Sequence, residues 1–329
     1  MTERDKGRPS RREFMALGVG AFVVAATPGL IRPPRRVVRR AVPVMGTIAE
    51  IGVVHRDARY AQGAIDAAIA ELRAVERTMT RFDPRSDVGR ANLGPVAGAV
   101  AVSRATAEVV GAGLEWADAS GGAFDPTLGR ALELWDLGHR SSPPSAGELR
   151  PLAGGGLYRS LELGERGGEP VVVYHDPAIA LDLGGIAKGY GVDRAVTALR
   201  EWGIADGLVN VGGDLYALGV SEDGDAWEVG VRDPDDASQL AATFRISDRA
   251  VATSGDYQQY FDHDGRRYHH LLDPRTGEPR NVATRTVTVA ADRCMTADAA
   301  GTAVFGEQAD AARRTIAAVD PSAELLHIG

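Results

Sequence analysis

Cysteine is all but missing. Cys294 is the single thiol in 329 residues, which excludes an internal disulfide, leaves no cysteine cluster for zinc and points to a packing role for that side chain. Positive charge is not in excess either, since 37 Lys and Arg stand against 45 Asp and Glu for a net charge of −8. That balance argues against non-specific binding to nucleic acid or to an anionic membrane. No G-x-G-x-x-G follows a strand pattern and no G-x-x-x-x-G-K-[ST] occurs, so the two commonest nucleotide fingerprints are absent. Internal repeats and long low-complexity segments are lacking too. With 44% apolar residues, the chain can build a sizeable core in one large domain or two ordinary ones.

Long hydrophobic runs are also absent. The longest apolar stretch near the start, Ala16 to Ala26, has 11 residues, too few for a spanning helix. It follows SRREFM (Ser10 to Met15) and ends in small residues at Ala25 and Ala26. A charged start, a short apolar middle and small residues form a secretory signal, and the adjacent Arg11 and Arg12 point to the twin-arginine route, which carries folded proteins. The expectation is a leader over 1–26, a solvated basic linker over 27–41 containing Arg32, Arg35, Arg36, Arg39 and Arg40, and one domain over 42–329. Export would put that domain in the periplasm or on the outer face of the cytoplasmic membrane. The absence of cysteine at the end of the apolar run argues against a lipid anchor. A cytosolic protein with a basic tail is the alternative.

Periodicity predicts a strand over 44–54 and a helix over 61–79, where Ile65, Ile69, Leu72, Val75 and Met79 recur along one face. A second helix is expected over 105–119, ended by Ser120, Gly121 and Gly122. From Val171 onward short strands dominate, at 171–174, 179–183, 207–211, 215–220, 227–231, 242–246, 250–254, 267–272 and 284–290. Helices interrupt them only at 190–202 and after Thr296. Strands joined by short turns imply antiparallel pairing, so the predicted fold class is α+β with mixed, largely antiparallel sheets and flanking helices rather than a doubly wound parallel sheet.

Four clusters could carry chemistry. Leu181 to Gly219 runs from an acidic strand end through a glycine-rich turn into a helix. Free N–H groups at a helix start favour an anion, Gly184 and Gly185 permit close approach, and Lys188 adds a mobile cation. In Cys294 to Gly306, Asp298 and Thr302 stand four apart and share a helix face. With a backbone carbonyl from elsewhere they would make an all-oxygen shell suited to Mg²⁺; the plainer alternative is a helical Asp with a back-bonded Thr. Val251 to Pro279 has the form of a hairpin ending in the turn formers Asp273, Pro274, Thr276 and Gly277. There His269 and His270 point to opposite sides of a strand, so only one can face a given pocket. Gly121 to Trp135 offers a turn with Phe124 and Asp125 exposed on a loop and Trp135 in the core.

Taken in order, these segments resemble the ApbE family of flavin transferases over about residues 44–306. The marks are VMGT (Val44 to Thr47), RFDPRSDV (Arg81 to Val88), GGAFDPTLG, LDLGGIAKGYGVD, VNVGGD, TSGDY, HLLDPRTGEP and TADAAGTA. The resemblance implies an ApbE-like, T-fold-related architecture and transfer of FMN from FAD to a Thr or Ser hydroxyl of an exported or membrane-attached flavoprotein, with release of AMP. It implies that Met45, Phe82, Ala123, Phe124 and Asp125 line the flavin site, that Asp182 and Lys188 contact FAD, and that Leu271 lies beside it. The family's metal shell, for Mg²⁺ or Mn²⁺, transfers onto the Gly185 carbonyl, Asp298 and Thr302. His270 is expected to take the proton from the acceptor hydroxyl, with Asp256 as second choice. Family members often carry bulkier residues where Ala300 and Gly301 stand, which implies a wider pocket or a looser helix here. A FAD pyrophosphatase, a non-catalytic FAD carrier and a redox flavoprotein are the rival functions. No nucleic-acid partner is expected.

Overall fold

The computed structural model describes residues 22–25 and 36–329 apart from 235, 237 and 258. The expected leader and the first part of the basic linker therefore lie outside the described residues, except that Phe22–Ala25 forms a short strand, β1. Strands β2 (Arg36–Val44) and β3 (Thr47–His55) pair antiparallel from Arg36↔His55 to Val44↔Thr47. The strand expected over 44–54 is β3, which starts three residues later, at Thr47, because 44–46 close a hairpin with β2. Met45 (φ 54) and Gly46 (φ 71) form a two-residue left-handed turn, the connection whose twist matches that of paired strands. Met45 is kept in this conformation by its N–H, which donates to Glu76 Oε1 at 2.6 Å.

The linker reading is corrected in part by the same hairpin: Arg36, Arg39 and Arg40 belong to β2. β2 is a sheet edge. Charged residues and a proline, here Pro43, are tolerated at an edge because no further strand pairs there, and they discourage pairing with another chain.

Helix α1 (Ala58–Met79) starts three residues before expectation because Asp57 accepts from Arg59 N and Tyr60 N, satisfying donors the first turn leaves free. Its stripe of Ile65, Ile69, Leu72, Val75 and Met79 is buried, as the spacing predicted. After α2 (Asp87–Leu93) and β4 (Ala99–Ala101), α3 (Arg104–Ala119) begins at the capping residue Ser103. Two short helices, α4 (Gly129–Trp135) and α5 (Ala146–Leu149), precede β5 (Leu161–Arg166) and β6 (Glu169–Tyr174), which join β4 in a small sheet of order β4-β6-β5.

The strand expected over 179–183 does not form. Ala180 makes only an isolated bridge to Leu128, and the segment's N–H groups donate instead to Thr127 O, Pro126 O and Asn92 Oδ1. Ile179, Leu181 and Leu183 are buried as in a strand, but the partner is a loop.

Helix α6 (Ala187–Glu201) leads into β7 (Gly207–Val211), β8 (Asp214–Leu218), β9 (Trp227–Arg232), β10 (Leu240–Ile246) and β11 (Arg249–Gly255). The hairpin β12 (Tyr260–His263) and β13 (Arg266–His269) follows, then β14 (Thr286–Ala291), α7 (Cys294–Ala303), α8 (Ala309–Val319) and β15 (Glu324–Ile328). The main sheet runs β15-β14-β11-β8-β7-β3-β2 with every neighbouring pair antiparallel, in accord with the α+β expectation. Its central strands are buried on both faces. Val209 and Val211 pack with Ile65, Leu72, Val192 and Leu199 of α1 and α6. Leu208 and Leu215 meet Trp227, Val229 and Val231, the second layer being β1-β9-β10. Adjacent residues thus serve opposite layers, as strand pleating requires. Among the described residues no helix is long and apolar enough to cross a membrane.

Helices α6 and α7 approach more closely than ordinary side chains permit. A Cβ on Gly189 would lie 2.3 Å from the Cys294 carbonyl oxygen, and the obstacle is backbone rather than a side chain that could rotate. Gly189→Ala is expected to lower unfolding free energy by about 1–3 kcal/mol through overpacking, measured by urea denaturation, whereas alanine at the exposed Gly138 position, where nothing lies within 4 Å of a Cβ, is a control without a clash.

Candidate active site

The N-terminal turn of α6 is bound to α7 through one carboxylate. Asp298 Oδ2 accepts Gly189 N at 2.9 Å, and its two oxygens lie 3.1 and 3.2 Å from Lys188 Nζ. Lys188 Nζ is also 2.7 Å from Asp214 Oδ2 and 3.3 Å from the Gly184 carbonyl oxygen. Burial alone would lower the lysine pKa, but the two carboxylates outweigh it and hold the ammonium above its ordinary value. Asp214 is displaced upward by burial and by the neighbouring Asp298 charge, with Lys188 opposing. Lys188 is therefore a cation at every pH of interest.

The three expected metal ligands come together here. A Cβ on Gly185 would stand 3.3 Å from Thr302 Oγ1, so the turn carrying the Gly185 carbonyl lies against the Thr302 hydroxyl, one helical turn from Asp298. No hydrogen bond among the described residues ends on that carbonyl. Gly301 faces strand β11. Its missing side chain lets β11 approach, since a Cβ there would meet Ser254 Oγ at 2.8 Å, and Ser254 Oγ lies 3.5 Å from Thr302 Oγ1. Among the described residues no three His, Cys, Asp or Glu side chains form a metal centre. A carbonyl, a carboxylate and a hydroxyl are instead the hard oxygen donors that could hold a divalent cation such as Mg²⁺.

Around the same turn, Asp182 accepts Gly184 N at 2.8 Å through Oδ1 and pairs with Arg81 Nε at 2.7 Å through Oδ2. The Arg81 guanidinium lies 4.3 Å from the Phe82 ring centroid, and Phe82 itself is 79% exposed. Such an uncovered ring offers a face for a planar ligand. Met45, on the β2–β3 turn, reaches α6, where its sulfur would lie 3.1 Å from a Cβ on Gly191. Met45, Phe82, Asp182 and Lys188 thus belong to one neighbourhood.

Phe124 and Asp125 require a correction, because both are buried rather than exposed on a loop. Asp125 Oδ1 accepts Thr127 N and Thr127 Oγ1 at 2.8 and 2.6 Å, and Oδ2 accepts Tyr158 N at 3.2 Å. Local bonding of this kind is what makes Asp a turn former, and burial raises its pKa. Phe124 packs against the Gly185 turn from inside the core. What Ala123, Phe124 and Asp125 can offer a ligand is main chain and shape.

The two histidines divide as strand alternation requires. His269 is engaged at both nitrogens, Nε2 with Arg280 O at 3.0 Å and Nδ1 accepting Leu271 N at 3.3 Å. His270 Nδ1 is buried with no hydrogen-bond partner. Burial, helped by His269 and Lys188, depresses the His270 pKa to about 4, so its imidazole is neutral at pH 7 and able to accept a proton. Asp256 is less available. Its Oδ2 is held by Arg285 Nε at 2.6 Å, although Oδ1 has no hydrogen-bond partner. Leu271, next to His270, is buried.

Sequence reasoning missed Asp214, Arg81, Asp193 and Arg280. Asp214 heads an otherwise apolar strand, a signal that could have found it. Asp193 caps the other helix, accepting Cys294 N at 2.7 Å and Met295 N at 3.0 Å at the start of α7. Its partners are 101 and 102 residues away, and no spacing rule reaches so far.

Comparison with known proteins follows the same lines. The profile of the ApbE family matches residues 45–326. A FAD:protein FMN transferase of Treponema pallidum (strain Nichols) is 34% identical over 285 residues, covering 81% of this chain and 77% of the relative. One from Vibrio cholerae serotype O1 is 33% identical over 287 residues, covering 84% and 83%. Among solved structures, an ApbE protein from Thermotoga maritima superposes with a TM-score of 0.76 at 30% identity, covering 89% of this chain and 94% of its own. The flavin transferase ApbE from Vibrio cholerae gives 0.73 at 30% identity with the same coverage.

Asp193 generates a pH test of the α7 anchor. Burial, the largest influence, raises its pKa to about 6 in spite of the two N–H donors, above the unfolded value of about 3.9. The folded state therefore binds this proton more tightly, and the group's contribution to stability is present at low pH and lost as pH rises from about 4 to about 6. Asp193→Asn keeps an acceptor for the helix start but cannot ionise. Urea titrations at about pH 4.5 and about pH 7.5 are expected to show the variant gaining about 2 kcal/mol on the wild type across that interval; equal slopes for both proteins would remove the assignment.

Proposed function

The chain belongs to the ApbE family, and from that premise we propose that it is a FAD:protein FMN transferase that moves FMN from FAD onto a Thr or Ser hydroxyl of an exported or membrane-attached flavoprotein, releasing AMP. The observation that carries this reading is the convergence, at the start of α6, of oxygen donors from two segments, the Gly185 turn and α7, beside a lysine paired with two carboxylates.

The chain's own residues supply most of the chemistry. The helix dipole at the start of α6 favours the pyrophosphate of FAD, and Lys188 adds a positive charge beside it. The Gly185 carbonyl, Asp298 and Thr302 would hold Mg²⁺ or Mn²⁺, which when bound withdraws charge from the phosphates. Met45 and Phe82 offer apolar surface to the flavin, while the Ala123–Asp125 loop shapes the wall behind it. His270 accepts the proton of the acceptor hydroxyl as its oxygen attacks the phosphorus on the FMN side. The bond from that phosphorus to the AMP oxygen breaks, and AMP leaves in line with the attack. Flavin undergoes no redox change. The depressed His270 pKa keeps the imidazole unprotonated at neutral pH and also makes it a weaker base than an unperturbed histidine.

The acceptor and the enzyme would have to meet on one side of the membrane. The Arg11–Arg12 leader supports export of this chain by the twin-arginine route.

Intact-mass spectrometry of an acceptor domain incubated with FAD, Mg²⁺ and the leaderless chain is expected to show addition of one FMN, with Asp298→Ala abolishing it. Free FMN and AMP with an unmodified acceptor would instead indicate hydrolysis, and intact bound FAD would indicate a carrier. In the same assay His270→Ala is expected to lower the transfer rate by about 10²-fold or more between about pH 6 and about pH 9. A wild-type rate across that range would end its role as proton acceptor.

A further inference from the structure

Arg280 stands outside every motif used above, yet it is bonded to three segments of the site. Its Nε donates to Leu272 O at 3.1 Å, its Nη1 to Thr302 O at 3.0 Å and Phe305 O at 2.7 Å, and its Nη2 to Ala123 O. Its main-chain N–H donates to Leu271 O at 2.9 Å, and its carbonyl accepts from His269 Nε2 at 3.0 Å when that nitrogen carries the proton. The four side-chain bonds all end on carbonyl oxygens. Two of those lie at the C-terminal end of α7, where the helix dipole favours a cation.

We propose that Arg280 is a positioning residue for flavin transfer, a rigid fork that fixes the flavin loop, the strand end that follows the proton acceptor and the helix end that carries the metal hydroxyl in one geometry. The inference rests on the flavin-transfer reading. Each carbonyl it holds is at or near a residue with a role: Ala123 and Thr302 are themselves site residues, and Leu272 is two residues beyond His270. The three segments are far apart in sequence, and no other side chain among the described residues bonds to all of them. A planar guanidinium with donors at fixed angles can hold carbonyls from several directions at once, whereas an ammonium is a point donor on a flexible stem. Burial lowers the Arg280 pKa to about 10, so the fork stays charged at neutral pH. Small misplacements of reacting groups cost rate steeply, which makes turnover, more than FAD affinity, the quantity that depends on it.

The test uses the chain that transfers FMN, with Arg280→Lys and Arg280→Met. Arg280→Lys is expected to fold, to change KM for FAD by less than about threefold and to lower kcat by about tenfold or more, with Arg280→Met lower still. Amide hydrogen exchange without FAD is expected to show protection falling together around residues 123, 272 and 302–305 in both variants. A kcat for Arg280→Lys within about twofold of wild type, or protection lost only beside residue 280, overturns the proposal. If both variants melt below the assay temperature, Arg280 is a residue of the fold alone and the proposal also falls. Failure of the wild-type chain to transfer FMN would count against the flavin reading itself, and the exchange measurement would still decide whether Arg280 couples the three segments.

Discussion

The carboxylate of Asp298 joins two helix starts that would otherwise be independent. It accepts the Gly189 N–H in the first turn of α6 and contacts the Lys188 ammonium, while α7, on which it rides, is capped from α6 by Asp193. Each helix thus supplies an acidic cap to the other, and the glycine at 189 removes the side chain that would hold them apart. Because a helix start carries N–H groups and partial positive charge, each carboxylate is stabilised by the helix that it caps. The site depends on that crossing more than on any single ligand.

Around the crossing, polar groups divide into those already satisfied within the protein and those left open. Asp125, His269 and Asp182 are occupied by neighbouring donors or acceptors. The Gly185 carbonyl and His270 Nδ1 have no hydrogen-bond partner among the described residues, and the Phe82 ring is largely uncovered. Buried polar atoms are normally paired, so the open ones mark where a ligand can complete the structure. The satisfied ones hold their segments still. Both kinds are needed, because a flexible loop bearing the same side chains would lose the alignment that phosphoryl transfer demands.

Much of the fold could be read from periodicity. The buried stripe of α1, the second long helix and most strands after Val171 follow from spacing and from the turn residues between them. The errors have physical causes. Met45 occupies a left-handed turn position that sequence patterns reserve for glycine or asparagine, so the turn before β3 read as the start of the strand. The arginines of β2 looked like a linker because an edge strand tolerates charge. Residues 179–183 have the apolar pattern of a strand but pair with a loop. Phe124 and Asp125 were expected to be exposed because turn chemistry says nothing about what later packs over the turn.

By itself the sequence determined the α+β class, the glycine-rich turn before α6 and the shared helix face of Asp298 and Thr302. All of these are local, set by residues within a few positions of one another. It also carried the family membership, since the ordered motifs survive in a single chain. Only the tertiary structure decided that Asp214 and Asp298 share Lys188, that Asp193 caps α7, that His270 rather than His269 keeps an open nitrogen, and that the Arg280 side chain binds four carbonyls in three segments. Those contacts join segments many residues apart, and their geometry arises from how the sheet and helices pack. Local spacing can select which groups are available for chemistry, but only close packing across the fold brings them within hydrogen-bond distance.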